Sequence, residues 1–140
     1  MGNGSYYGLT GRETYRSDGT RVADSKGNEG WVVVEIGDTK YHSSLPQWSK
    51  TSRIYFKRND RGLHGIEQMR IFENRRAFRD FDWGHTHREF QKGTVHVHEW
   101  RMDGNGKWSR SPNPRRMTNS EIEQFEELIH LADPTAKIIP

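Results

Sequence analysis

Apolar and polar residues alternate along the middle of this chain with the period of a β-strand. Residues 52–58 (SRIYFKR) set Ile54 and Phe56 on one side and Tyr55 and Lys57 on the other, because successive strand side chains point to opposite faces. Residues 31–37 (WVVVEIG) form a β-branched run with glycine on either side, which reads as a buried strand. Strands are also predicted over 65–72, 77–83 and 94–102. In 77–83 the alternation sets Phe78, Asp80 and Asp82 against Ala77, Arg79, Phe81 and Trp83. Asp103-Gly104-Asn105-Gly106 is a hairpin turn leading into a partner strand at 107–111.

The period changes near the C-terminus. Thr118-x-x-Glu121 fits a capping box. Ile122, Phe125, Leu128, Ile129 and Ala132 then recur at helical spacing, and Asp133-Pro134 ends the run. Residues 1–30 carry few aliphatics and many Gly, Ser, Asp and Thr, and read as loops with at most a short hairpin about Ser17-Asp18-Gly19. The expectation is a single α+β domain over 1–140. It has a loop-rich N-terminal segment (1–30), a mostly antiparallel sheet of about six strands (31–110) and one C-terminal helix (118–132).

Composition narrows this picture. Hydrophobic residues make up 31% of the chain and charged residues 29%, so the core is thin. Five Trp, five Tyr and six Phe compensate, since aromatics bury the most area per residue. A homodimer would suit so thin a core. Cysteine is absent, so a bound zinc or other transition metal would rest on histidine and carboxylate. No run approaches the ~18 apolar residues of a membrane span, and MGNGSYYG has no apolar signal segment. The expectation is a cytoplasmic protein with no membrane association.

The formal charge is +3, and arginine outnumbers lysine fifteen to seven. The planar guanidinium suits phosphate and carboxylate. An ordinary solvated surface explains the same bias.

The candidate chemistry lies in 84–100 (GHTHREFQKGTVHVHEW), which holds two H-x-H pairs, His85/His87 and His96/His98. On a strand, His96, His98 and Trp100 share one face and Val95, Val97 and Glu99 the other. The valines read as core, which would turn the histidines toward a cleft or solvent. If 84–93 folds back as a hairpin, all four rings line one pocket.

Three readings stand side by side. The four imidazoles can ligate a metal, with Asp82 or Glu99 adding oxygen or orienting a ring. They can carry protons in catalysis, as metal-independent ribonucleases do, with Arg70, Arg79, Arg88 and Arg101 along the phosphate path and Tyr55, Trp83 or Trp100 stacking a base. Or they are polar surface, the ordinary reading for lone His42, His64 and His130. The two tryptophans are as readily core, and Asp80 and Asp82 as readily partners of basic neighbours.

His64-Gly65-Ile66, the strand end Asp80-Phe81-Asp82-Trp83-Gly84-His85 and the strand Val95-His96-Val97-His98-Glu99-Trp100 together resemble C-terminal domains of bacterial polymorphic toxins, of the Rhs and related secreted types, and similar phage-encoded proteins. The resemblance spans residues 64–100. Many such domains are nucleases, so it implies a nuclease acting on nucleic acid or another phosphate-containing substrate, with an immunity or host protein as partner. The Met1 start without a long delivery region fits a stand-alone domain.

The leading expectation is therefore a nuclease-like domain. His85, His87, His96 and His98 are its reactive or ligating set, and Arg79, Arg101, Arg88 and Arg70 its phosphate contacts. The alternatives are a phage or mobile-element protein that binds a nucleotide or blocks a host protein, and a structural phage component with a histidine-bound metal.

Overall fold

The computed structural model describes residues 5–7, 13–35, 45–50, 53–58 and 65–140. His42 and His64 lie outside these residues, as do the turn at 59–62 and the end of the run at 36–37. Among the described residues eight strands and one helix follow in order: β1 (Ser5–Tyr7), β2 (Glu13–Ala23), β3 (Glu29–Glu35), β4 (Ile54–Arg58), β5 (Ile66–Glu73), β6 (Arg76–Asp82), β7 (His96–Met102), β8 (Trp108–Arg110) and α1 (Asn119–Ala132). The strands lie side by side in chain order. Every pair is antiparallel except β3–β4, which is parallel.

The architecture is α+β, as the patterns predict, with more strands than six. The difference lies in the N-terminal third, where β1 and β2 replace the expected loops. In β2, Arg16, Asp18, Thr20 and Arg21 are exposed and no aliphatic stripe marks the strand. Backbone pairing with the apolar β3 holds it extended instead, with a register shift between Ser17 and Arg21.

The two faces of the sheet are covered differently. One face carries Val32, Ile54, Phe56, Met69, Ile71, Phe81, Val95 and Val97, which pack against Phe125, Leu128 and Ile129 of α1. The helix begins as its sequence dictates. Thr118 Oγ1 accepts from Glu121 N, and the Glu121 carboxylate accepts from Thr118 N. Glu121 also accepts two hydrogen bonds from Arg115, at 2.8 and 3.0 Å. Arg115 in turn exchanges backbone bonds with Val97 of β7, so the helix start is tied to the sheet. Among the described residues no helix is long and apolar enough to cross a membrane.

The opposite face holds a smaller apolar cluster, Val33, Leu45, Tyr55, Phe72, Ala77 and Trp100. Beside it runs a buried polar row formed by Arg70, Asp80, Asp82, His96 and His98. The ladder puts these residues next to one another: Arg70 faces Asp80 across β5–β6, and Asp80 faces His98 and Asp82 faces His96 across β6–β7.

The sequence alternation places Phe78 with Asp80 and Asp82, and the structure does not. A register shift between Ile71 and Phe72 lets Phe78 pack against the helix-side core.

Candidate functional site

The polar row is built from an ion-pair network outward. Arg70 spans the centre, its guanidinium donating to both carboxylate oxygens of Asp80 at 2.5 and 2.9 Å. It also donates to the carbonyls of Leu45 and Pro46 at 2.5 and 3.2 Å, which fastens the 45–50 segment over this face. Its charge lies 4.9 Å from the Trp100 ring centre. Arg110 reaches in from β8, donating to Asp80 at 2.8 Å and closely to Asp82.

Burial alone would raise the Asp80 carboxyl, but Arg70 and Arg110 outweigh it and hold the group below its usual range. Asp82 goes the other way. Burial and the neighbouring Asp80 charge push it up to about 7, more than the shared Arg110 can offset.

The loop after β6 brings the His85/His87 pair over this row. Trp83 anchors its start, the indole N–H donating to Ile66 O at 2.7 Å and Asp133 Oδ2 at 3.0 Å. Gly84 then passes so close to Glu67 that a Cβ would stand 2.6 Å from the Glu67 Cβ. The chain folds back where His87 and Phe90 exchange backbone bonds at 2.8 and 3.0 Å, with Arg88 left-handed at φ 55° in the turn. The Phe90 ring stacks on His96, 5.4 Å between centres.

The four histidines therefore converge, as the hairpin reading requires. Ring centres are 5.4 Å apart for His96 and His98, 5.0 Å for His87 and His98, and 5.7 Å for His87 and His96. His85 lies 5.2 Å from His96 and 6.0 Å from His87. Ligating atoms of His85, His87 and His96 fall within 4.8 Å of one another, and so do those of Asp82, His96 and His98.

The pairs differ in exposure. His96 and His98 are fully buried, so of the cleft or solvent that the valine pattern allows, solvent is ruled out. The cause is the second cover on their face, made by Arg110, the 45–50 segment and the folded-back loop. His85 is exposed and His87 half-buried. Burial drives both His96 and His98 down to about 4, with Arg110 adding to the effect at His98. His85 is also lowered, by burial and then by His87.

Their hydrogen bonds set the tautomers. His96 Nδ1 is 3.2 Å from Thr94 O and His98 Nδ1 is 2.8 Å from Ser111 O. A carbonyl only accepts, so each Nδ1 carries the proton and each Nε2 presents a lone pair. Among the described residues, His96 Nε2, His98 Nε2 and Asp82 Oδ1 are buried with no hydrogen-bond partner. An unsatisfied buried polar atom costs about 1–3 kcal/mol, so three in one place call for an explanation.

A cavity of about 260 Å³ opens beside this cluster, lined among others by Lys57, Gln68, Arg70, Asp82, His85 and Arg110. Of the arginines expected on a phosphate path, Arg70 is on this face, but Asp80 and two carbonyls occupy it. Arg79 points to the other face, toward Glu121 at 3.4 Å. Arg101 is exposed and pairs across β7–β8 with Ser109, the neighbour of Arg110. Arg88 is exposed at the loop turn. Tyr55, Trp83 and Trp100 are buried, and of the three Trp100 lines the cavity. Glu99 bonds Arg115 at 2.8 Å, away from the histidines.

The sequence reading missed Arg110 and Lys57. Arg110 was legible in principle, since the DGNG hairpin sets it opposite Trp100. No family model matches the chain, and no match was found among curated proteins or solved structures.

Proposed function

We propose that this domain is a nuclease that cleaves a phosphodiester bond at the histidine cluster. The observation that carries the reading is the convergence of both H-x-H pairs beside a cavity that His85 lines together with Arg110 and Lys57. Lone histidines on a sheet face need no such convergence. The cavity is small for a ligand pocket, and suits one phosphate with its sugar better than a stacked duplex. The resemblance of 64–100 to polymorphic-toxin domains supports the same class.

In this reading the outer pair does the proton work. One ring of His85 and His87 takes a proton from the attacking water as its oxygen bonds to phosphorus. The bond from phosphorus to the leaving sugar oxygen breaks, and the other ring, protonated, gives its proton to that oxygen. Arg110, whose side chain is 34% exposed, faces the charge that develops on phosphate. Because fold alone does not give function, the assignment rests on this site.

One observation favours a second reading. Each cation lining the cavity has a carboxylate partner: Lys57 with Glu67, Arg70 with Asp80, Arg110 with Asp80 and Asp82. That balance also suits a non-enzymatic domain whose histidines serve structure.

The test is cleavage of single-stranded RNA and DNA by the purified chain beside His85→Ala and His87→Ala. Activity that falls at least about 100-fold in these folded variants supports the nuclease. No activity in the wild type under any metal condition, or full activity in the variants, overturns it in favour of the second reading.

A further inference from the structure

Among the described residues five buried side-chain atoms lack a hydrogen-bond partner, Arg79 Nε, Trp100 Nε1 and three that stand together. The three are Asp82 Oδ1, His96 Nε2 and His98 Nε2, and their residues form one of the two groups whose ligating atoms lie within 4.8 Å of one another. We infer that these three residues bind one transition-metal ion. The inference stands whether or not the centre cleaves phosphodiesters.

Three features support it independently of one another. The donor set is two imidazole nitrogens and one carboxylate oxygen, which suits zinc or iron(II) and disfavours calcium or magnesium.

Each ring is already oriented. The Nδ1–H groups donate to Thr94 O and Ser111 O, the outer-shell arrangement that fixes the tautomer and aims Nε2 at a metal. Asp82 is oriented too, since Arg110 holds Oδ2 and leaves Oδ1 bare.

The ring spacing fits. A metal–nitrogen bond of about 2 Å sets each ring centre about 3 Å from the ion, so ligand rings sharing one ion stand about 5 Å apart. His96 and His98 stand 5.4 Å apart.

Charge bears on what a bound ion would do. Arg70 and Arg110 formally balance Asp80 and Asp82. A divalent ion added to this balanced set leaves the centre positive. The bound ion would then supply the anion affinity that the paired arginines cannot, and would polarise a phosphoryl oxygen or a water.

The experiment is metal binding by the full chain, read without any activity. Metal-free protein is titrated with cobalt(II) and followed by visible absorption, and zinc content is measured after dialysis. The expected results are one ion per chain and cobalt bands of a low-symmetry nitrogen–oxygen site.

His96→Ala, His98→Ala and Asp82→Asn should each weaken binding by about 100-fold or more, while Arg101→Ala leaves it unchanged. Circular dichroism of the metal-free variants checks that they fold. Should a variant not fold, the imidazole ¹⁵N spectrum of the wild type decides. Zinc must shift the Nε2 resonances of His96 and His98 and leave their Nδ1 resonances protonated. Absence of cobalt bands, or zinc that shifts only other histidines, overturns the site.

Discussion

Asp82 and His96 stand opposite each other across the β6–β7 ladder, and each ends in a buried atom that meets no donor or acceptor among the described residues. His98, two residues along the same strand, ends the same way. Buried polar atoms in folded proteins are nearly always paired, and the cost of three orphans would have to be borne by the rest of this thin core. A shared ligand removes all three penalties at once, which is why the account centres on this corner of the sheet.

The ion pair under that corner should be the most sensitive point of the fold. Arg70 and Asp80 side chains are 4% and 0% exposed. Removing one partner of such a pair leaves the other charge buried alone, at about 3–5 kcal/mol. Arg70→Met should lose stability of that order in urea denaturation. Arg101→Ala, on an exposed side chain, should change it by under about 0.5 kcal/mol.

The helix start gives a pH-dependent prediction. Burial would raise Glu121, but its bonds from Arg115 and Thr118 hold it below its ordinary 4.5. A carboxylate lowered in the folded state stabilises above its unfolded pKa, and loses that stabilisation as pH falls through the folded value. Glu121→Gln should therefore be less stable than wild type by about 2 kcal/mol at pH 7. The two stability curves should meet below about pH 4, measured by thermal melting across that range.

How much of this was legible in the chain differs by element. The helix was readable to the residue because capping is local: Thr118 and Glu121 satisfy each other's backbone wherever the helix docks. The β6 and β7 strands were readable from their alternation. The burial of His96 and His98 was not, because it depends on what covers the second face. That cover comes from Arg110, the 45–50 segment and a loop turning at a left-handed Arg88, none of which periodicity reports. Strand β2 was hidden for the opposite reason, since its pairing uses backbone and almost no apolar side chains. Phe78 was misplaced because a single register shift reverses facing beyond it.

The loop that carries the outer histidines depends on one missing side chain. A Cβ on Gly84 would stand 2.5 Å from Glu67 Oε2 and 2.6 Å from Glu67 Cβ. The carboxylate can swing away, but the Cβ cannot without moving β5. Gly84→Ala should cost about 1–3 kcal/mol and displace His85 and His87. Urea denaturation reads the first effect, and shifted imidazole ¹⁵N resonances of His85 and His87 read the second.

The β5–β6 turn carries strain that can be relieved. Asn74 and Arg75 are both left-handed, at φ 51° and 68°, as a two-residue hairpin requires. Asparagine tolerates that conformation, and arginine pays for it. Arg75→Gly should raise stability by about 0.5–1 kcal/mol, seen as a higher urea midpoint with unchanged slope. An unchanged or lower midpoint would mean that the Arg75 side chain contributes a compensating contact.

The central claim is tested most directly by anomalous diffraction at the zinc edge from crystals grown with zinc. The account requires one strong peak about 2 Å from Nε2 of His96 and of His98 and from Oδ1 of Asp82, with Nδ1 of each ring still on its backbone carbonyl. A cluster with no peak, its three buried atoms hydrogen-bonded instead to ordered water, would contradict it.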